Sequence, residues 1–234
     1  MVHYVFDIDG TLTPSRQPMD PEFFAWFDNW CSDKNVHFVT GSDYSKTAEQ
    51  VSHNLCEKVN TVYNCAGSIV TKQGVITRTN EWDHPPALTQ LMNGWLLGSQ
   101  FKIRTGNHIE KRQGMVNFSI VGRNATLEQR KEYVEFDTAN NERATIANVL
   151  NHYFDDIKCT VGGETGIDIH PVGWDKSQIL KDFKEDDTIH FYGDAMFEGG
   201  NDYPLAHALK KFQLGFSHQV KDWEDTWRNI KDVV

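Results

Sequence analysis

Apolar residues recur along this chain with two periods. The short runs Tyr4-Val5-Phe6, Val36-His37-Phe38-Val39, Thr61-Val62-Tyr63 and Ile189-His190-Phe191-Tyr192 predict buried strands. Behind Asp20-Pro21, which reads as a helix cap with proline at the first helical position, Phe23, Phe27, Trp30 and Cys31 recur at helical spacing. Residues 68–71 and 75–77 flank Gln73-Gly74 and predict a hairpin. Near the end, residues 205–209 and a short strand at 212–216 close the core, and Trp223 and Trp227, four apart, predict a last packed helix.

The middle of the chain has a different character. The polar stretch 80–86 ends in two prolines and reads as a crossing into a second region. Beyond it, Leu88, Leu91, Met92, Trp95 and Leu96 form one helical face. Residues 101–104, 108–112 and 115–120 are strand-like, with Gln113-Gly114 as a turn. Thr126 caps a helix opening at 126–130. A second helix is predicted over about 139–154, with Ile146, Val149, Leu150 and Tyr153 inward, and 157–161 and 166–170 supply two more strands. The pattern predicts a doubly wound, Rossmann-like α/β core of parallel strands (residues 1–82 and 172–234) with an inserted α+β cap (83–171). Such an insertion is expected over the carboxyl ends of the core strands, where open α/β sheets bind ligands.

Composition narrows the function classes. With 39% hydrophobic and 12% aromatic residues, the 234-residue chain has ample material for a packed core. A net charge of -10 argues against nucleic acid, which needs a clustered basic face. An anionic substrate must therefore be drawn in by local arginines and lysines. The four cysteines are far apart and lack CxxC spacing, so they read as free thiols of a reducing compartment rather than as zinc ligands. His3, His53, His84, His190 and His218 show no paired-ligand spacing. No apolar run approaches ~18 residues and no signal pattern opens the chain, so no membrane partner and a cytoplasmic location are expected.

The chemistry centres on Asp7-Ile8-Asp9-Gly10-Thr11-Leu12-Thr13, where the first strand ends. Residues i and i+2 of a strand share a face, so two carboxylates meet at the edge. Such a pair binds Mg2+ through oxygen, and one carboxylate can attack phosphorus while the other moves a proton. The Asp-x-Asp-Gly-Thr string resembles the haloacid dehalogenase-like phosphotransferases, and the continuation Thr13-Pro14-Ser15-Arg16-Gln17 resembles the eukaryotic-type phosphomannomutases. Further matches follow. Thr40-Gly41-Ser42-Asp43 turns a strand into a helix, a place that favours a phosphate oxyanion. Thr40 fits the family's second motif, while Ser42 is the other candidate because phosphomannomutases commonly carry Gly where Thr40 stands. Arg112, Asn117 and Arg123 fall on the signature whose arginines grip the sugar phosphate that is not being transferred, although Gln113 replaces Asn and Ile120-Val121 replaces Pro-Ile. In Gly162-Gly163-Glu164-Thr165-Gly166-Ile167-Asp168 the sugar-contacting Asp168 is retained, but Gly166 stands for Ser and Glu164 for Met. Gly173-Trp174-Asp175-Lys176 matches in full, and Lys176 would neutralise transition-state charge. Gly193-Asp194 and Gly199-Gly200-Asn201-Asp202 resemble the last motif, with Asp194 a metal ligand and Asp202 beside it.

The resemblance implies a mechanism. Asp7 becomes an aspartyl phosphate, Asp9 handles protons, and Mg2+ is held by Asp7, the Asp9 carbonyl and Asp194. Thr40 or Ser42, with Lys176, contacts the remaining phosphoryl oxygens. The acceptor decides the activity. A mutase returns the phosphoryl group to a hexose phosphate, with a sugar 1,6-bisphosphate as intermediate and activator, and serves mannose metabolism on the way to GDP-mannose. Arg16, Arg112 and Arg123 favour it, because a second phosphate needs its own clamp. The alternative is a sugar phosphatase, in which water is the acceptor; Gly166 and the added charge of Glu164 leave room for it. A non-catalytic sugar-phosphate-binding module is a third reading. The resemblance also implies a homodimer through the cap.

Overall fold

The structure, a computed structural model, describes residues 1–233. The chain divides into two compact units: Met1–Asn80 together with the chain from Gly173 onward, and Glu81–Val172.

The first unit, the core, opens with β1 (Val2–Phe6), α1 (Pro21–Trp30), β2 (Asn35–Val39), α2 (Tyr44–Val51), α3 (His53–Lys58), β3 (Thr61–Asn64), β4 (Ile69–Lys72) and β5 (Val75–Thr79). The second unit, the cap, holds α4 (Pro86–Gly98), β6 (Ile109–Arg112), β7 (Met115–Phe118), α5 (Leu127–Asn140), α6 (Glu142–Tyr153), β8 (Ile157–Gly162) and β9 (Gly166–Pro171). The chain then returns to the core with a 3-10 helix (Lys176–Asp182), β10 (Thr188–Gly193), α7 (Tyr203–Phe212), β11 (Gly215–Gln219) and α8 (Trp223–Ile230).

The core sheet runs β11-β10-β1-β2-β3-β4-β5. Its first five strands are mutually parallel, and the β4–β5 hairpin adds an antiparallel edge. Gln73 (φ 50) and Gly74 (φ 75) close that hairpin with two left-handed residues, the geometry that matches strand twist. Strand alternation sends Tyr4 and Phe6 to one face, against Phe23, Phe27 and Trp30 of α1, Leu55 of α3 and Ile230 of α8. Val5, Val39 and Phe191 go to the other face, against Ile179, Leu205 and Leu209. Helices thus cover both faces, as in a doubly wound fold, and each fully buried large apolar side chain contributes about 2 kcal/mol. Asp20 caps α1 by accepting from the N–H groups of Glu22 (2.9 Å) and Phe23 (3.1 Å).

The cap sheet is antiparallel, in the order β6-β7-β9-β8. Val116, Phe118, Ile167 and Ile169 share one apolar cluster with Tyr133, Ile146 and Leu150 of α5 and α6. The intervening residues face the other way, and the register sets Glu110 opposite Asn117, Asn117 opposite Asp168, and Asp168 opposite Thr160. One face of the cap sheet is therefore core, and the other carries a polar row.

Four expectations need correction. Residues 101–104 form no strand, because the Arg104 guanidinium takes the carbonyls of Phe101 and Ile103 that a ladder would use, and reaches back to the Leu96 carbonyl of α4. The second cap helix starts at Glu142 rather than 139, since Asn141 is left-handed (φ 52) and separates α5 from α6. Val149 and Tyr153 are exposed, and the buried stripe of α6 is Ile146, Ala147 and Leu150. The strand expected at 212–216 begins at Gly215, because Phe212 ends α7 and Gln213 turns left-handed.

All four cysteines are free and buried. Among the described residues no helix is long and apolar enough to cross a membrane.

Adjacent strands β1 and β2 bring His3 Nδ1 within 3.0 Å of His37 Nε2. Burial, followed by the neighbouring His3, lowers the His37 imidazole from 6.5 to about 3. The unfolded chain therefore takes up a proton that folded His37 refuses. Its contribution is complete above pH 6.5 and is lost as the pH falls toward 3. We expect His37→Phe to flatten this limb of the stability curve, relative to wild type, by on the order of 3 kcal/mol near pH ~4. Urea titrations between those limits check it, and parallel curves would contradict it.

Candidate active site

Three neighbouring parallel strands place the core residues on one edge. Asp7 follows β1, Thr40 follows β2, and Asp194 follows β10, all at carboxyl ends. The Asp7 N–H continues the ladder to the Tyr192 carbonyl (2.9 Å). The chain then turns back on itself, with the N–H groups of Thr11, Leu12 and Thr13 all donating to the Ile8 carbonyl. Ile8 and Leu12 anchor this turn in the core. Gly10 is required there, because its φ is +79° and a Cβ would lie 2.6 Å from Asp194 Oδ2.

Asp7, Asp194 and Asp202 offer ligand oxygens that all lie within 4.8 Å of one another. Lys176, from the first residue of the 3-10 helix, donates to Asp7 Oδ1 (2.5 Å) and Asp202 Oδ1 (2.7 Å). The Ala195 N–H donates to Asp202 Oδ2 (3.0 Å), so both Asp202 oxygens are engaged and this carboxylate anchors the lysine. Burial raises the Asp7 carboxyl well above its ordinary range despite Lys176, and Asp202 and Asp194 add to the shift. Asp194 is raised in the same way, by burial first and Asp202 second. Burial works against the Lys176 ammonium, but Asp202 and Asp7 together outweigh it and raise its pKa. Three carboxylates against one ammonium leave two negative charges uncompensated when all are ionised. An all-oxygen donor set with this deficit fits a hard divalent cation.

A cation at 100 times its dissociation constant should stabilise the fold by about 2.7 kcal/mol. Thermal melts with and without the metal check this, and Asp194→Asn should abolish the difference. A metal-dependent shift of the same size in that variant would contradict the assignment.

Asp9 points elsewhere. Its Oδ1 accepts from the Arg16 N–H (2.6 Å) and from Gln50 Nε2 (3.0 Å), and Gln50 Nε2 also reaches Thr13 Oγ1 (3.0 Å). Asp9 is thus held by its own loop and by α2, outside the Asp7–Asp194–Asp202 group. Arg16 adopts a left-handed backbone (φ 59) and its side chain is exposed. Thr40 is buried, and its Oγ1 accepts from the Ser42 N–H (3.1 Å). A hydroxyl that accepts still has its proton to give to an anion. The Ser42 carbonyl is taken by the Cys65 N–H (3.0 Å) and Asn64 Nδ2 (3.1 Å), which fixes the loop.

In the cap, the polar row forms a second constellation. Glu110 Oε2 accepts from Arg112 Nε (2.7 Å) and Nη2 and lies 3.2 Å from Arg123 Nε. Arg123 Nη1 donates to Asn117 Oδ1 (3.3 Å), and Asn117 Nδ2 donates to Asp168 Oδ1 (2.6 Å). Gly166 makes room for this arrangement, since a Cβ there would lie 2.7 Å from Asn117 Nδ2. Glu164 is paired with Arg130, whose Nε (3.1 Å) and Nη2 (2.9 Å) both donate to Oε2. Its charge is therefore compensated within the cap rather than set unpaired against an anionic substrate.

Gln50, Glu110 and Arg130 are missing from the sequence reading. Gln50 could have been found as a polar residue on the buried stripe of a helix, with Thr47 and Val51. Glu110 could have been found from strand alternation, which puts it on the face of Arg112. Arg130 meets Glu164 across 34 residues and leaves no local signal.

The family model for eukaryotic phosphomannomutase matches residues 25–234. A phosphomannomutase of Schizosaccharomyces pombe is 34% identical over a 244-residue alignment covering 98% of this chain and 93% of the relative. One from Spinacia oleracea is 31% identical, covering 98% and 94%. Among solved structures, an N-terminally truncated IMP-nucleotidase of Plasmodium falciparum superposes with a TM-score of 0.63 at 12% identity, covering 98% of this chain and 69% of that one, and so shares the fold. By sequence over nearly its whole length, and with a capped α/β fold to match, the chain belongs to the eukaryotic phosphomannomutase family.

Proposed function

We propose that this protein is a phosphomannomutase, which interconverts a hexose 1-phosphate and its 6-phosphate through an aspartyl phosphate on Asp7. The observation that carries the reading is the gathering of Arg112 and Arg123 on one Glu110 oxygen in the cap. A sugar bisphosphate carries two phosphates, and this chain carries two phosphate chemistries: transfer in the core and grip in the cap.

Lys176 holds Asp7 through Oδ1, which supports its role as the attacking carboxylate. The bond from its carboxylate oxygen to phosphorus forms as the sugar-oxygen bond to phosphorus breaks. Asp9 gives the leaving oxygen its proton and later removes one from the incoming hydroxyl. Its Oδ1 accepts from Arg16 N–H and Gln50 Nε2, which leaves Oδ2 for the proton in this reading. Lys176 and the Thr40 or Ser42 loop meet the remaining phosphoryl oxygens. Mg2+, held by Asp7, the Asp9 carbonyl and Asp194, would spread the charge of the group in transfer. A sugar 1,6-bisphosphate would charge Asp7 at the start.

With Glu164 paired to Arg130, the phosphatase alternative rests on Gly166 alone. A non-catalytic module would have little use for the buried Asp7–Lys176–Asp202 cluster. The free, buried cysteines fit a reducing, cytoplasmic compartment. The exposed Leu97 and Leu127 support a homodimer through the cap.

Phosphorus NMR of mannose 1-phosphate and of glucose 1-phosphate, with Mg2+ and a trace of bisphosphate, tests the function. Conversion to the 6-phosphate with little free phosphate is the expected result. Steady release of inorganic phosphate without isomerisation would replace the mutase by the phosphatase.

A further inference from the structure

We infer that Glu110 is a positioning residue that assembles Arg112 and Arg123 into one phosphate clamp. The inference rests on the proposed function only in naming the phosphate as that of a sugar. Glu110 and Arg112 stand two apart on β6, hence on one face, while Arg123 lies in the loop after β7. Two guanidiniums at such close quarters repel each other, and both side chains lose rotamer freedom on being held.

One oxygen, Glu110 Oε2, answers both problems. It takes Nε and Nη2 of Arg112 and faces Nε of Arg123. The bond from Arg123 Nη1 to Asn117, and from Asn117 to Asp168, extends the ordering across β7 and β9. Glu110 holds Arg112 along its Nε–Nη2 edge.

A carboxylate beside a phosphate site also opposes the ligand, and the two effects have opposite signs. Here the groups are partly exposed, with side-chain exposures of 32% for Glu110, 19% for Arg112 and 20% for Arg123, so water and salt screen the repulsion. Pre-organisation wins, and Glu110 tightens phosphate binding.

The test is a double-mutant cycle on the full-length protein: wild type, Glu110→Ala, Arg112→Ala and the pair. The readouts are KM and kcat for mannose 1-phosphate and, independently, the dissociation constant of inorganic phosphate by calorimetry. Glu110→Ala should raise KM and the phosphate dissociation constant by about tenfold with kcat within about twofold, the size expected for losing a pre-organised pair. Added to Arg112→Ala, it should cost far less than it does alone, because it acts through the arginines. Glu110→Gln, which keeps an acceptor oxygen, should recover part of the loss. Unchanged or tighter binding in Glu110→Ala, or full additivity with Arg112→Ala, overturns the inference. If mannose 1-phosphate is not turned over but phosphate binding still depends on Glu110, the functional reading falls and the clamp stands.

Discussion

Asp7→Asn is expected to lower kcat for hexose phosphate interconversion by about 10⁴-fold or more, the scale of removing a covalent nucleophile. The amide keeps the shape of the carboxylate and can still accept from Lys176, so the fold should survive. Burial already holds the Asp7 carboxyl above its ordinary range, which means that its charge is costly in the fold. Removing that charge should leave metal-free stability unchanged or slightly higher, by about 1 kcal/mol. Loss of turnover together with an undiminished melting temperature separates a chemical role from a structural one. Retained turnover would move the nucleophile elsewhere. Asp9→Asn should also lose turnover, while still allowing Asp7 to be phosphorylated by a donor with a good leaving group.

Lys176→Ala should damage both stability and rate. The ammonium is buried between Asp7 and Asp202, and its removal leaves those carboxylates facing each other without compensation. Breaking a buried ion pair by deleting one partner costs about 3–5 kcal/mol. The rate should fall by about 10²–10³-fold as well, since a cation at the transferring group is lost. The pH dependence has a definite sign. Asp7 and Asp194 have raised pKa values in the fold, so the folded state binds protons that the unfolded chain has already released. The contribution of these two carboxyls to stability without metal therefore rises as the pH falls from above the folded values toward the ordinary carboxylate value of 3.8, opposite in sign to that of His37, and Lys176→Ala should steepen that rise. A variant that is equally stable at neutral and acidic pH would show that Lys176 does not carry this charge balance.

The strands that build the core edge were legible because parallel central strands are apolar on both faces. Tyr4-Val5-Phe6 and Ile189-His190-Phe191-Tyr192 stand out, and the carboxylates that follow them inherit their positions. The cap was harder to read. Its helices α5 and α6 meet at a single left-handed Asn141, which no apolar periodicity marks. Arg104 suppresses a strand by bonding to carbonyls as far back as Leu96, an effect of geometry rather than of propensity. Two of the three site residues that were missed have one cause in common. Gln50 reaches Asp9 across 41 positions and Arg130 reaches Glu164 across 34, so each depends on tertiary packing. Glu110 is different: the alternation of Ile109-Glu110-Lys111-Arg112 puts it on the face of Arg112, so its register was legible in the sequence.

The claim that joins fold to function is that Asp7 carries the phosphoryl group between two positions of a sugar. Acid-quenched protein, exposed to hexose 1,6-bisphosphate and Mg2+ and then digested, can be examined by mass spectrometry for phosphate on the peptide that contains Asp7. Phosphorylation is expected there, lost in Asp7→Asn and discharged when mannose 1-phosphate is added before the quench. An enzyme that interconverts the sugar phosphates at full rate while that peptide stays unmodified would contradict it.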